Sequence, residues 1–165
     1  MNGDRNTAMY SPETLSRLGL FKNISLHTLE HLTTELNPRH IEPGTEVLSE
    51  GKEDTSMFVV LNGELEVLKR IGASKRAIRV ALLGPGDWFG EMSLLDPQPR
   101  SASVRTLAPS VLLSMNTEQV QTLIYDHDLK DYATFMTNIA RALARRLRVT
   151  SGILSQAASN IHHNI

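Results

Sequence analysis

Between Pro38 and Met115 the chain consists of short runs rich in apolar residues, separated by Gly, Pro and Asn. The runs with β-strand character are RHIEP, TEVLSE, SMFVVL, ELEVLKR, RAIRVALL, SASVRTL and SVLLSM. Many short strands with regularly placed turns are typical of a small β-sandwich or barrel. Asn62-Gly63 predicts a hairpin between two of these runs, because both positions of such a turn need positive φ. A second turn is predicted at residues 72–75, so the centre of the chain is expected to be an all-β unit.

Helices are predicted on both sides of this unit. Ser11 followed by Pro12 is typical of a helix start, with the serine as cap. Ser25 predicts the start of a second helix, and Asn116 with Gln119 has the spacing of a capping box. The apolar face of the second helix is expected to hold Leu26, Leu29, Leu32 and Leu36.

The longest periodic segment covers about residues 129–161 and predicts a long C-terminal helix. Its apolar positions follow a heptad spacing and are Met136, Ala140, Leu143, Leu147, Thr150, Leu154, Ala157 and Ile161. A seam of this length is more than a small β domain can cover. We therefore expect a homodimer through this helix, and the alternative is that the seam packs on its own β domain.

Length and composition limit the classes of protein to which the chain can belong. Its 165 residues suit one domain, expected at 11–165 after a flexible tail at 1–10. A formal net charge of -1 gives no overall positive charge for nucleic acid, and the absence of cysteine excludes disulfides. No stretch has the apolar length of a signal peptide or a membrane span, so the expected location is the cytoplasm.

Two histidines raise the question of a metal. His27 and His31 lie one helical turn apart, which is a spacing that can ligate a metal ion. The segment HTLEH lacks the glutamate position of a metalloprotease motif, and the sequence indicates no third ligand. We therefore expect ordinary surface residues and no metal site.

The segment WFGEMSLLDPQPRSASVRT, residues 88–106, contains the strongest candidate for a binding site. Residues 92–95 predict a one-turn helix, and Gly90 before it lets an anion approach unpaired N–H groups. Arg100 offers a planar fork for a phosphate, and Ser101 adds a hydroxyl. Glu91 suits a hydroxyl of a sugar that carries the phosphate. These residues predict a sugar-phosphate site, and the alternative is a capped turn with a surface Glu and a surface Arg.

This segment resembles the phosphate-binding cassette of cyclic nucleotide-binding domains. The family pattern is Phe-Gly-Glu, then small and apolar residues, then Pro-Arg-small-Ala/Ser-x-Val. Further similar segments are LFKNIS at 20–25, PGTEVLSEG at 43–51 and FVVLNGELEVL at 58–68, and the resemblance covers roughly residues 15–155. It implies a mainly β fold with flanking helices: a jelly-roll-like β-roll at about 38–115, N-terminal helices and a long C-terminal helix.

The resemblance also implies roles for individual residues. In the family the glutamate binds the ribose 2′-hydroxyl and the arginine binds the cyclic phosphate, aided by backbone amides after the glycine. The ligand-binding residues predicted in this way are Gly90, Glu91, Met92, Ser93, Arg100, Ser101 and Ala102.

Residues of the long helix are expected to contact the base. LARRLRVTSGIL, residues 143–154, resembles the long helix of the catabolite-activator type, in which neighbouring Thr and Ser bond the adenine, one from each subunit. Thr150 and Ser151 have these positions and favour cyclic AMP, and Arg146 is a further candidate one turn earlier. Cyclic GMP is the alternative ligand, because a hydroxyl directly after the arginine, here Ser101, contacts guanine in relatives that bind cyclic GMP.

The function predicted from these features is a cyclic nucleotide receptor that is not an enzyme. It is expected to signal through a ligand-induced conformational change to an unidentified effector protein. The alternative is a sugar-phosphate-binding enzyme on a similar β-roll. Direct DNA binding is not expected, because the residues after Ser151 are too few for the helix-turn-helix that follows the long helix in transcription factors of this family.

Overall fold

A computed structural model describes residues 10–72 and 76–162 of the chain. The predicted tail at 1–10 therefore lies outside the described residues, apart from Tyr10. The helices are α1 (Pro12–Ser16), α2 (Leu26–Glu35), α3 (Met92–Leu95), α4 (Thr117–Val120) and α5 (Leu129–His162), with a 3₁₀ turn at Gly19–Phe21 and a π-helical turn at Gln121–Tyr125. The strands are β1 (Arg39–Ile41), β2 (Glu46–Leu48), β3 (Met57–Asn62), β4 (Leu65–Ile71), β5 (Arg76–Leu83), β6 (Trp88–Phe89), β7 (Ser103–Thr106) and β8 (Ser110–Met115).

The strands form two four-stranded antiparallel sheets. The strand order is β1-β8-β3-β6 in the first sheet and β2-β7-β4-β5 in the second. Apolar residues of both sheets meet in a shared core, in which the rings of Phe58 and Phe89 stack with centroids 5.2 Å apart. This arrangement, with helices on both sides, confirms the predicted mainly β roll.

The predicted hairpin at Asn62-Gly63 is wrong. Strand β3 pairs with β6 and β8, whereas β4 pairs with β5 and β7, so the turn connects the two sheets. Among the described residues other than glycine, only Asn23 has a positive φ, so Asn62 does not adopt the conformation of a tight hairpin turn. Gly63 has a φ of +106°, and a Cβ there would lie 2.7 Å from the Cα of Ser110. The glycine serves a close backbone approach at a corner between the sheets.

The second predicted turn does form a hairpin. Strands β4 and β5 pair antiparallel from Leu65↔Leu83 to Ile71↔Arg76. Residues 73–75 of the turn lie outside the described residues.

The helix caps are where the sequence predicts them. The Ser11 side chain accepts from the N–H of Thr14, and the Ser25 side chain accepts from that of Thr28. Asn116 and Gln119 form the full capping box. The predicted face of α2 is wrong at one position: Leu29, Leu32 and Leu36 are buried, but Leu26 is 53% exposed because it is the first residue of the helix.

Helix α5 is firmly attached to the N-terminal helices over its first half. Phe135, Ile139 and Ala142 are buried in the core that these helices share with the first sheet. The Asp131 carboxylate accepts hydrogen bonds from Ser25 and Thr28, and Asn138 donates 2.9 Å hydrogen bonds to two carbonyls of the segment before α2. The N-terminal helices and the start of α5 therefore form one packed unit.

The second half of α5 leaves the domain. From Arg145 onward, every residue whose side chain is described is exposed. Of the predicted seam, Met136 and Leu143 pack against the core, whereas Leu147 and Leu154 are 67% and 65% exposed. The side chains of Ala157 and Ile161 lie outside the described residues. The alternative that the whole seam packs on its own β domain is therefore wrong for Leu147 and Leu154.

Within the part of the chain that the structure describes, no helix combines the length and apolar content that crossing a bilayer requires.

Candidate functional site

A pocket of about 520 Å³ lies between the second sheet, the segment around α3, and α5. This volume is within the range of about 300–1,000 Å³ that is usual for small-molecule sites. One wall is apolar and is formed by Leu48, Val67, Ala81, Leu83 and Val104. The predicted site residues that line the pocket are Gly90, Glu91, Met92, Ser93, Arg100, Ser101, Ala102 and Arg146.

Gly90 allows two parts of the site to approach each other. Its φ is +81°, a conformation that residues with a side chain rarely adopt. A Cβ at this position would lie 2.7 Å from the carbonyl oxygen of Ser56 and 3.1 Å from Nη1 of Arg100. Both the conformation and the space therefore require glycine, as the predicted anion site does.

Arg100 is buried, with 5% of its surface exposed, so the alternative of a surface arginine is wrong. Its Nη1 donates to the Gly90 carbonyl at 3.0 Å and to Oγ of Ser93 at 2.9 Å. Its Nη2 donates to the Ser56 carbonyl and pairs with the Asp54 carboxylate at 3.1 Å. These contacts fix the guanidinium against the pocket.

One donor of this guanidinium is unused. The Nε of Arg100 is buried and has no hydrogen-bond partner among the described residues. A buried donor without a partner costs about 1–3 kcal/mol of stability. An anion in the pocket that accepts a hydrogen bond from this N–H would remove that cost and form an ion pair with Arg100.

Asp54 keeps a negative charge beside the guanidinium. Burial alone would raise its pKa, but hydrogen bonds from Ser56 and Arg100 outweigh burial and hold the pKa below its ordinary value. The side chain of Asp54 is 38% exposed, so the carboxylate that balances the charge of Arg100 remains in contact with solvent.

Glu91 is also buried, with 2% of its surface exposed, and it is paired with the long helix. Its Oε1 accepts from Nη1 of Arg146 at 2.5 Å, and Nη2 of Arg146 donates to the Trp88 carbonyl at 2.9 Å. No described residue donates to the other carboxylate oxygen of Glu91. Arg146, predicted as a candidate for the base, therefore lies on the predicted sugar-binding residue instead.

Thr150 and Ser151 are not among the described residues that line the pocket. Both are exposed, and the Thr150 hydroxyl donates to the Arg146 carbonyl one turn earlier at 3.0 Å. Neither hydroxyl reaches the pocket within this single chain, and their contact with a base stays a prediction.

Several residues of the site have no local signature in the sequence. Asp54 and Ser56 precede β3 and meet Arg100 only because the fold closes the loop before β3 onto it. Lys69 donates to the Ser101 carbonyl and pairs with Glu50 at 2.9 Å. These contacts hold the chain just after Arg100 in place. Such partners are far apart in sequence, so no motif links them.

Comparisons with known proteins identify the family and the fold of the chain. The family model described as "Cyclic nucleotide-binding domain" matches residues 38–127. The "CRP-like cAMP-activated global transcriptional regulator" of Mycobacterium tuberculosis is 29% identical over 143 residues, which are 87% of this chain and 61% of that protein. The "cGMP-dependent protein kinase egl-4" of Caenorhabditis briggsae is 30% identical over 72% of this chain but only 16% of its own length.

Among solved structures, the catabolite activator protein of Thermus thermophilus superposes with a TM-score of 0.72 at 29% identity. The match covers 85% of this chain and 63% of that one. The chain thus spans about three-fifths of the length of the M. tuberculosis relative and of this structure.

Proposed function

The chain belongs to the family of cyclic nucleotide-binding domains, and on that premise we propose that it is a receptor for cyclic AMP. The observation that carries the proposal is the buried Arg100, whose Nε has no partner in a pocket with an apolar wall. A cyclic nucleotide supplies both an anionic phosphate and a flat base whose faces can pack on apolar side chains, and so matches both features.

The ligand is expected to lie with its phosphate on Arg100 and its ribose on Glu91. The free carboxylate oxygen of Glu91 can accept from a ribose hydroxyl while its partner oxygen stays bonded to Arg146. Arg146 also neutralises the carboxylate, which would otherwise repel the phosphate. The base then lies against the apolar wall.

The apolar wall of the pocket also favours a cyclic nucleotide receptor over the alternative, a sugar-phosphate-binding enzyme. A sugar-phosphate enzyme needs polar contacts to the sugar hydroxyls, whereas the side of the pocket formed by Leu48, Val67, Ala81, Leu83 and Val104 offers none from side chains. A wall of this kind favours a base. We therefore propose a binding protein rather than an enzyme, as the family of binding domains supports.

The choice of cyclic AMP depends on the long helix. Thr150 and Ser151 would contact the adenine if a second chain packs along α5, and the M. tuberculosis relative is named as activated by cyclic AMP. Cyclic GMP remains the competing ligand, because the kinase relative is named for it and Ser101 lines the pocket.

We propose a homodimer through the exposed half of α5. Leu147 and Leu154 lie on one side of this half, and both are uncovered in the single chain. Arg141, Arg145 and Arg148 lie on other sides of the helix, so two parallel copies would not bring these charges together at the seam.

Matched variants test the dimer. Leu147→Glu is expected to give monomers in analytical ultracentrifugation, because the charge falls on the seam. Val149→Glu is the control, since Val149 is 64% exposed, close to the 67% of Leu147, but lies off the seam. If wild type is monomeric with ligand bound, or if both variants dissociate alike, the seam does not form the dimer.

Signalling is proposed to follow from the contact between Glu91 and Arg146. This contact joins the pocket to α5, so a ligand that binds Glu91 acts directly on the helix. A ligand shifts a conformational equilibrium only by its difference in affinity for the two states. The output is expected to be a changed contact with an effector protein, found by co-purification with and without cyclic AMP.

Calorimetry with cyclic AMP, cyclic GMP and ribose 5-phosphate tests the proposal directly. Cyclic AMP at 100 times its Kd should add about 2.7 kcal/mol to the stability of the fold. Tighter binding of cyclic GMP would reassign the ligand. If neither nucleotide binds and ribose 5-phosphate does, the receptor function is refuted.

A further inference from the structure

Three histidine rings stack where α2 meets the start of α5. His27 and His31 lie on α2, and His127 lies in the turn before α5. The ring of His127 stacks on both others, with centroid distances of 4.5 Å and interplanar angles of 24° to His27 and 16° to His31. His127 and His31 are half-buried and His27 is exposed, so protons from solvent reach the stack. His27 and His31 therefore lie at the surface, as expected, and both contact His127.

The stack depends on neutral rings. Nε2 of His127 lies 3.0 Å from Nδ1 of His27, so two ring nitrogens that can each carry a proton are in close contact. Two protonated rings at this distance would repel each other. A fully protonated stack is therefore unstable in this geometry.

The groups around His127 favour its neutral form on balance. They are His27 and His31 from α2, and Asp128 and Asp131 from the start of α5. Burial, and then the charges of His31 and His27, hold the pKa of His127 below its usual 6.5, and they outweigh the two carboxylates.

The arrangement does not suit a metal ion. Nitrogen lone pairs lie in the ring planes, and nearly parallel planes do not direct them to a common point. Among the described residues, no group of three His, Cys, Asp or Glu is placed to hold a metal ion.

The stack lies where the start of the long helix α5 is attached to α2. Next to it, the Asp131 carboxylate accepts from the backbone and hydroxyl of Ser25 and from the hydroxyl of Thr28. Together these contacts attach the start of α5 to α2. The same helix carries Arg146 to the pocket.

We propose that the stack of His27, His31 and His127 is a pH-sensitive contact that holds the start of α5 on α2 and loosens on acidification. Acidification destabilises the contact because the folded protein favours the neutral ring of His127. The contribution of the stack is complete above pH 6.5, the usual value for the unfolded chain, and is lost as the pH falls below it.

Melting temperatures at pH 7.5 and 5.5 test the proposal on the ligand-free protein. This window lies above the range in which aspartates titrate, so Asp131 stays charged throughout. Acidification should lower the melting temperature of wild type by about 2–4 °C more than that of His127→Gln. His40→Gln is the matched control, because His40 is an exposed histidine on β1 outside the stack, and it should behave as wild type does.

Hydrogen exchange locates the effect. Protection factors of residues 121–130 should fall on acidification in wild type but not in His127→Gln, and His31→Gln provides a second variant if the first does not fold. If the melting temperatures of His127→Gln and His31→Gln depend on pH as that of wild type does, the proposal is overturned. Stabilisation of wild type by zinc chloride that EDTA reverses and His127→Gln lacks would also overturn it, because the cluster would then be a metal site.

Discussion

Replacing Arg100 with alanine is expected to weaken cyclic AMP binding by a factor of about 10–150. The four contacts of the two terminal nitrogens are made to the protein itself, so only Nε is left for a new hydrogen bond. A hydrogen bond to a charged group contributes about 1.5–3 kcal/mol, and about 1.4 kcal/mol corresponds to a factor of ten in Kd. The estimate counts this bond alone, so it is a lower bound if the charge also attracts the phosphate at longer range.

Arg100→Ala should also destabilise the ligand-free protein, because it leaves the Ser93 hydroxyl, two carbonyls and Asp54 without their donor. Melting of the ligand-free variant measures this loss separately from binding. Asp54→Ala removes one of the same anchors but keeps the arginine. It should therefore lower the melting temperature and affect affinity less than Arg100→Ala does.

Calorimetry and the fluorescence of the single tryptophan, Trp88 at the pocket, provide two independent readings of affinity. Arg105→Ala is the matched control. Arg105 donates two hydrogen bonds to Glu66 on the neighbouring strand but does not line the pocket, so its loss should leave Kd unchanged. Binding of Arg100→Ala as tight as that of wild type, or an equal loss of affinity in both variants, would show that Arg100 does not bind the phosphate.

Three further outcomes are expected. Arg146→Ala should weaken cyclic AMP binding about tenfold, because a buried carboxylate beside the phosphate loses its counter-charge, whereas the exposed Arg145→Ala should have no effect in the same titration. Asp131→Asn should lower the melting temperature by about 2–4 °C at pH 7 and reduce the loss of stability on acidification. Because the pKa of Asp131 in the folded protein lies below its ordinary value of 3.8, the ionised carboxylate stabilises the fold at pH values above 3.8. This stabilisation is lost as the pH falls below 3.8. If the melting temperature of Asp131→Asn falls with pH as that of wild type does, the carboxylate does not have this role. Gly90→Ala should abolish cyclic AMP binding, because a Cβ there has no space. Gly86→Ala is the control and should retain binding: the φ of Gly86 is a similar +89°, but the nearest atom to a Cβ there would be 3.8 Å away. Equal effects of the two variants would show that backbone conformation, and not crowding, decides.

The elements that depend on neighbours in sequence could be predicted. The caps at Ser11, Ser25 and Asn116 satisfy N–H groups three residues away, so a short stretch contains all the information. The one-turn helix after Gly90 and the extent of α5 are local in the same sense.

Pairing between distant strands could not be predicted. Asn62-Gly63 has the composition of a hairpin turn, but the partner of β3 is β8, which lies about fifty residues later. Which strand pairs with β3 is decided by packing of the two sheets against each other, and a dipeptide does not record that.

The same limit applies to the candidate site. Most of the residues predicted to bind a ligand line the pocket, but the sequence does not predict that Arg100 and Glu91 are both buried. Their burial depends on Asp54, Ser56 and Arg146, each supplied by a different part of the fold.

If a ligand moves α5 as proposed, we expect its projecting half to move as a rigid arm. From Arg145 to the end of the helix at His162 it extends beyond the domain, and at 1.5 Å per residue this length is about 27 Å. A tilt of about 10° about the attached half would move the far end by about 5 Å, on the scale of one helical turn. Arg146 lies close to the fulcrum, so a displacement at Glu91 too small to rearrange the domain would be magnified several-fold at the tip. With Arg146 at a fixed distance from the pivot, the displacement of the tip is proportional to the length of the projecting half. Lengthening or shortening α5 by a turn should therefore change the size of the response without changing the affinity for the ligand.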